Sequence, residues 1–516
     1  MQLIMSIEIE LKYLIINDNV VEKITSLLNE KSFNFSQSTG SLANCYFDSS
    51  DLLLRQHDIG LRVRSNNTFI EQTIKMSGKV VGGLHQRQEY NVVIDNKSPN
   101  LSLFPTKIWP GSSNLNAVII NQVQSQLISL FSTDFERVTW LIQNENGSQI
   151  ELVFDLGCIT VDGASESICE IELELVKGDT SDLFILAKLL SEHLQLRPGI
   201  KSKAARGYAL FAQQHDKQAA IQSTFKITRL ELIPLKHQYS IKKSFAVGIE
   251  FSLTQLQKII EIYCDAPSLS LLTKITELLA LIRHGFWLFE EHLPTSIQVI
   301  RSDLSKLIKE LSWVENAVYF QELTDKTGNY RKRLAYSEQL ISQLKFEKSQ
   351  FPEPETVINI FYSSRFNLTL INLTQLLLSL ESDPKEVKND ELILFAQEKL
   401  EGNLTLLTNS LMQNKKLTLT EYLSQQKLLI RSLLTGSWCG SLYDKGERLE
   451  FRDPWLDVKQ GMDELHTLLT LQQQLASISG EQFEKIHNWL ESKVDSLLLA
   501  LDCSRKNAMS ITPYWH

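Results

Sequence analysis

The hydrophobic period of this chain changes once along its length, and that change limits the possible fold more than any other feature. Through the first 210 or so residues, apolar and polar residues alternate in short runs: Ile7 to Leu11, Leu61 to Arg64, Phe69 to Met76, Gln88 to Ile94, Gln149 to Asp155 and Ile168 to Val176. A period of two is that of a strand with one buried face. Turn-forming clusters separate the runs, at Ser65, Asn66 and Asn67, Ser77 and Gly78, Gly82 and Gly83, Glu145 to Gly147, and Asp162 and Gly163. The pattern predicts an antiparallel β-meander or barrel with helices at Asn19 to Lys31 and Asp182 to Leu194, the latter with Leu183, Leu186, Leu189 and Leu190 on one face.

From about residue 250, leucines recur at helical spacing in Leu253 to Tyr263, Leu269 to His292, Ile297 to Leu323, Leu368 to Leu380, Glu391 to Leu411, Leu419 to Leu434 and Trp455 to Leu475. This half predicts an all-α helical bundle. Breaks are expected at Pro294, around Pro352 and Pro354, at Asp383 and Pro384, and between Gly436 and Pro454, with the boundary between the halves falling between His215 and Phe251. A chain of 516 residues is long enough for two to four domains. Its 43% hydrophobic and 22% charged residues exclude a mainly disordered chain, a collagen-like fibre and a coiled-coil rod.

A formal charge of -9 gives no general attraction for nucleic acid or an anionic membrane, so neither is an expected partner. Cys45, Cys158, Cys169, Cys264, Cys439 and Cys503 are scattered without close pairs, which fits a reducing, cytoplasmic setting better than a disulfide framework or a zinc knuckle. Met1 to Glu10 lacks the basic and apolar regions of a secretory leader, and Met5 is an alternative start.

The residues with chemistry to offer lie on the strands. In Ile7 to Lys12, the i, i+2, i+4 rule puts Glu8, Glu10 and Lys12 on one face and Ile7, Ile9 and Leu11 on the other. Taken alone, this is equally the polar face of a surface strand. A second strand repeats the arrangement with Glu170, Glu172 and Glu174, where three like charges on one face repel unless cations intervene. Clustered carboxylates suit a hard divalent cation such as Mg²⁺ or Mn²⁺. Cations recur in matching phase: Arg62 with Arg64, Lys75 with Thr73 and Glu71, Arg87 with Glu89, and Arg137. If these faces turn into a closed barrel, its interior has an acidic and a basic wall, a site for a metal-chelated polyanion. Glu151 and Asp155 share a face and either add to the acid wall or meet solvent. Gly78, Gly82 and Gly83 lack the following Lys and Ser or Thr of a phosphate-cradling loop, so they are expected to form a hairpin, with His85 at the surface.

Taken in order, Glu8-x-Glu10-x-Lys12, Asn44 to Asp48, Gly60 to Arg64, Thr73 to Lys75, Glu170 to Glu174 and Ser202 to Tyr208 resemble the CYTH family, the triphosphate tunnel metalloenzymes. The likeness spans residues 6–212 and is nearest to the bacterial inorganic triphosphatase branch, where Gly82 to Arg87 and Leu130 to Asp134 also look familiar. The resemblance implies an eight-stranded β-tunnel, Mg²⁺ or Mn²⁺ as cofactor, and hydrolysis of inorganic triphosphate to pyrophosphate and phosphate. It makes Glu8, Glu10, Glu170, Glu172 and Glu174 the metal ligands, and Lys12, Arg62, Arg64, Lys75, Arg87, Arg137 and Lys203 the phosphate-binding residues. Glu8, Glu10, Lys12 and Lys75 are then the catalytic set. Tyr46 is a candidate for proton transfer or for packing.

After a linker at residues 213–234, residues 235–510 resemble a CHAD domain, a helical module associated with polyphosphate, which makes longer polyphosphate a second expected partner. Its basic candidates are Lys274, Arg283 and His284, Lys427 and Arg431, and the clusters Arg331 to Arg333, Lys415 with Lys416, and Arg505 with Lys506. Trp438, Trp455 and Trp489 read as packing residues. Asp453, Pro454 and Trp455 resemble the same triphosphatase branch. The expected whole is a multidomain protein, an antiparallel β-tunnel of α+β character followed by a helical bundle. Two other readings stay open: a polyphosphate-binding module with little catalysis, and a hydrolase or cyclase acting on ATP or thiamine triphosphate.

Overall fold

The computed structural model describes residues 4–65, 69–105, 109, 117–215, 232–335, 337–381, 390–411, 415–476 and 481–516. The expected turn at Asn66 and Asn67, the break at Asp383 and Pro384, and most of the linker lie outside the described residues. The chain separates into two compact units, one holding the strands together with Ile360–Gln375, the other holding the remaining helices.

In the first unit, nine strands run β1 (Ile4–Ile15), β2 (Asn34–Asp48), β3 (Gly60–Ser65), β4 (Ile70–Val81), β5 (Leu84–Ile94), β6 (Ile128–Gln143), β7 (Gln149–Val161), β8 (Ala164–Lys177) and β9 (Leu196–Pro198). Every pairing is antiparallel, in the order β5-β4-β3-β2-β6-β7-β8-β1-β9, and β1 also pairs with β5. That last pairing closes eight strands into a barrel, and β9 is appended to the end of β1 at Tyr13 to Ile15. Closure removes the unpaired edges of an open sheet.

Alternation along each strand then sorts the side chains. Leu11, Tyr13, Leu61, Val63, Ile171 and Leu173 point out into apolar layers and are buried there, while Glu8, Glu10, Lys12, Arg62 and Glu172 point in. Five helices supply or border the outer layers: α1 (Val20–Glu30), α2 (Leu53–Gln56), α3 (Ala117–Gln126), α4 (Thr180–His193) and α5 (Lys203–His215). One layer gathers Leu54, Ile59, Leu61, Val63, Ile74 and Tyr90. Another gathers Phe131, Phe135, Ile159, Ile168 and Tyr208 under α5. Helix α4 starts earlier than its leucine pattern suggests, because Asp179 caps it by accepting the Ser181 N–H. It buries Leu183, Leu186 and Leu190, each contributing about 2 kcal/mol of apolar transfer. The hairpin joining β4 to β5 turns on Gly82 and Gly83, both at positive φ, which side chains with a Cβ rarely adopt.

The second unit is helical, as the leucine spacing predicts, with one correction. The expected helix from Ile297 to Leu323 is two, Gln298–Glu310 and Trp313–Thr324. The expected break between Gly436 and Pro454 falls between Cys439 and Lys445, and Pro454 itself lies inside Lys445–Leu475, which Asp444 caps and which buries Phe451, Trp455 and Val458 around the proline. Proline's φ fits a helix, and packing offsets the lost hydrogen bond. Trp438 is fully buried at the centre, where Gly248 and Gly285 leave room for its ring; a Cβ on either would stand 2.0 and 2.2 Å from it. Its indole N–H donates to the Leu281 carbonyl at 3.0 Å. Among the described residues, no helix is long and apolar enough to cross a membrane.

Candidate active site

The barrel encloses a cavity of about 460 Å³ whose wall includes Glu8, Glu10, Lys12, Arg62, Arg64, Lys75, Arg87, Arg137, Glu172, Glu174 and Lys203. All but one of the residues expected to hold metal or phosphate are thus brought to one space. Glu170 stands behind the wall, fully buried, with its carboxylate taken up by Lys12 at 2.6 Å, by Lys203 and by Arg206 at 3.3 Å.

The register explains the grouping. Glu10 lies opposite Glu174 and Lys12 opposite Glu172 across β1 and β8, Glu8 lies opposite Arg87 across β1 and β5, and Arg137 lies opposite Asp155 across β6 and β7. Side chains directly opposite on one face must interact. Glu8 accepts from Lys75 Nζ at 2.7 Å and Arg87 Nε at 2.6 Å, and Glu10 from Arg87 Nη2 at 3.0 Å. Arg137 forks onto both oxygens of Asp155 at 2.7 Å and reaches Glu172 at 3.1 Å. The oxygens of Asp155, Glu170 and Glu172 lie within 4.8 Å of one another. The Lys203 ammonium sits among them, 2.7 Å from Asp155 and 3.0 Å from Glu172.

These pairings leave the cavity unbalanced at both walls. Burial raises the Glu8 carboxyl, but Lys75 and Arg87 overcome that and hold it well below the usual carboxylate range. Burial, with Glu172 and Glu8 nearby, pushes Glu10 up to about 7 despite Arg87. Burial and Glu8 also push Glu174 up to about 7, and among the described residues it has no ion pair. On the other wall, burial, then Arg62 and Arg137, pull Arg64 down to about 10. Among the described residues Arg64 has no ion pair; it donates to Asn44 Oδ1 at 2.8 Å. Glu10 and Glu174 on one wall are therefore short of positive charge, and Arg64 on the other is short of negative charge. Glu10 and Glu174 fit a hard divalent cation by donor type and by this deficit, while Glu8 beside them is a carboxylate already held by Lys75 and Arg87.

Sequence reasoning missed three features here. Glu89 bridges Lys75 at 2.8 Å and Arg62 at 3.5 Å; its alternation with Arg87 was the available signal. His85, expected at the surface, is buried in the cavity wall against the Gly199 carbonyl at 2.9 Å, and burial pulls it down to about 4. The cause is the hairpin's register, which sets His85 opposite Glu10 on the inward face. Asp48 is also fully buried and accepts a hydrogen bond from Tyr208 at 3.1 Å, a contact between residues 160 positions apart. Tyr46 stacks on Phe131 with centroids 4.6 Å apart and also borders the cavity, so it both packs and lines the site.

The basic candidates of the helical unit behave differently. Lys274 and His284 are buried, His284 against the Thr435 hydroxyl at 2.9 Å with burial pulling it down to about 3. Arg283 donates to Ser305 at 2.8 Å, and Arg431 lies over the Trp287 ring at 3.5 Å. Arg505 is fully buried on the carbonyls of Leu411 and Lys415, whereas Lys415, Lys416, Lys427 and Lys506 are exposed.

Residues 6–208 match the model of the CYTH domain family. An inorganic triphosphatase of Haemophilus influenzae is 35% identical over 225 residues, a match spanning 42% of this chain and 58% of that protein. A solved Hippeastrum protein, described as an adenylyl cyclase with a dominant triphosphatase activity, is 19% identical over 40% of this chain and 96% of its own, with a TM-score of 0.28. The CHAD domain of Ricinus communis is 12% identical over 55% of this chain and 97% of its own, with a TM-score of 0.39. At such scores the architecture rests on the strand pairings and helices described above.

Proposed function

Residues 6–208 are a CYTH domain, and from that premise we propose that this chain is an inorganic triphosphatase, hydrolysing triphosphate to pyrophosphate and phosphate inside the β-tunnel with Mg²⁺ or Mn²⁺. The observation that carries the reading is one barrel cavity in which Glu10 and Glu174 are short of positive charge while Arg64 is short of negative charge. A metal-chelated polyphosphate supplies both. The catalytic domain is residues 6–212, and the helical domain, residues 235–510 after the linker 213–234, is accessory. The six free cysteines suit a reducing, cytoplasmic setting, which fractionation of the source cells would check.

In this reading Glu8, Glu10 and Glu174 hold the metal, with Glu172 beside them. Glu170 reaches it only if Lys12 and Lys203 move, because their ammonium groups already take its oxygens. When bound, the divalent ion neutralises phosphate charge and lowers the pKa of attacking water. Arg62, Arg64 and Arg137 bind phosphate oxygens, and Lys12, Lys75, Arg87 and Lys203 set the charge between the walls and follow the chain as it reacts. Phosphoryl transfer needs mainly positioning and electrostatic stabilisation, so no covalent nucleophile is required.

The test is phosphate release by the full chain from inorganic triphosphate and from ATP, with Mg²⁺, Mn²⁺ or EDTA. Release from triphosphate that EDTA abolishes is the expected result. A strong preference for ATP would replace inorganic triphosphate with an organic substrate. Binding of triphosphate without release would make the tunnel a binding module.

A further inference from the structure

Lys203 opens α5, and its ammonium is the point on which Asp155, Glu170 and Glu172 converge, so its contribution depends on where α5 sits. Three contacts fix that helix to the barrel. Arg206 donates to Glu166 at 2.6 Å and to the Ser167 carbonyl. Gly207 lies against Phe131, where a Cβ would stand 2.1 Å from the ring. Tyr208 donates its hydroxyl to Asp48 Oδ2 at 3.1 Å.

Asp48 is a rigid anchor. Its Oδ1 accepts the N–H groups of Ser49 and Leu54, each at 2.8 Å, and its Oδ2 that of Arg55 at 2.9 Å. These bonds close the turn from β2 into α2, where Leu52 has a φ of 59°. A carboxylate with both oxygens so occupied is immobile and poorly placed to shuttle protons. The Tyr208 ring is held independently, edge-on to Phe131 at 5.3 Å and beneath the Arg55 guanidinium at 5.5 Å. Its hydroxyl therefore adds direction to a side chain that is already packed. Five residues of helix, roughly 7.5 Å of rise, carry that constraint to Lys203.

We propose that Asp48 and Tyr208 are positioning residues that act through Lys203, their hydrogen bond setting the seat of α5 so that the ammonium stays within the carboxylate triad. The proposal rests on the triphosphatase reading for its kinetic consequence but not for its structural one. Tyr208→Phe removes the hydroxyl and keeps the ring. In the full chain it should lower kcat/KM for triphosphate about fivefold when Lys203 is present and less than about twofold in the Lys203→Met background, the non-additivity expected of residues that share one network. Asp48→Asn should show the same dependence on Lys203 with a larger fall in Tm. The second readout needs no turnover: an amine-acylating reagent followed by peptide mass spectrometry should modify Lys203 severalfold faster in Tyr208→Phe than in the parent, with Lys12 unchanged. Equal losses of kcat/KM in both backgrounds, or an unchanged labelling rate at Lys203, would overturn the proposal. A parent chain without turnover, whose Lys203 is nonetheless labelled faster in Tyr208→Phe, would remove the triphosphatase reading and leave the positioning role standing.

Discussion

The two units of this protein both bury charge, and they do so in opposite ways. In the helical unit Arg448 lies on the carbonyls of Gly440 and Tyr443, Arg505 on those of Leu411 and Lys415 and on Asp502, and His284, kept neutral by burial, on a hydroxyl. In the barrel, buried charges meet one another across a cavity and fail to cancel, with burial and then like-charged neighbours raising Glu10 and Glu174 to about 7 and lowering Arg64 to about 10. Buried charge capped by backbone serves a fold, whereas buried charge left in local surplus is poised for a ligand.

The largest effect that would sharpen this contrast is loss of turnover in Glu10→Gln or Glu172→Gln, a fall of about a hundredfold or more in kcat because a charge is removed where metal and substrate meet. Near-normal phosphate release by both variants would break the contrast. Next, Arg64→Gln should raise KM for triphosphate about tenfold to thirtyfold, the worth of one charged hydrogen bond. Arg505→Met should show the reverse profile, a stability loss of about 2 kcal/mol by denaturant unfolding, from stranded carbonyls, with kcat/KM unchanged. A kinetic defect there would erase the distinction between the units.

The smallest effect is one of pH. Glu10 and Glu174 hold protons in the folded state up to about 7, while an unfolded glutamate releases them near 4.5. At these two carboxyls the folded chain then binds more protons than the unfolded one in that window, so their contribution to metal-free stability falls as pH rises from about 4.5 to 7, by up to about 2.7 kcal/mol per pH unit, and the buried neutral His85 and His284 oppose it below about 6.5. Saturating Mg²⁺ should flatten or reverse the slope, since it favours the ionised carboxylates. A metal-free Tm whose pH dependence is the same in the parent and in the Glu10→Gln, Glu174→Gln double variant would show that the carboxylate wall is already neutralised.

Legibility followed the same divide. β1 and β8 could be read because Glu alternates with Ile or Leu without interruption, although that phase alone left open whether the acidic face met solvent or the barrel interior. β2 could not, because Ser36, Gln37, Ser38 and Thr39 give no apolar alternation and all four are exposed. The helix Glu481–Ser510 was missed, whereas the break between Gly436 and Pro454 was legible and falls between Cys439 and Lys445. Within the site, residues in phase along one strand were visible. Contacts that exist only through closure, such as Asp48 with Tyr208 or His85 with Gly199, left no local trace.

Closure also has a consequence in time. β1 carries Glu8, Glu10 and Lys12, yet Lys12 bonds to Glu170, 158 residues further along. During synthesis the first strand must wait for β5 and then for β8 before its acidic face acquires its partners. Such long-range pairing is slow to nucleate, and an unsatisfied strand is exposed meanwhile. The acidic wall is therefore among the last parts of the barrel to mature, and on the proposed reading the chain should become competent to bind a divalent metal only when β8 is in place.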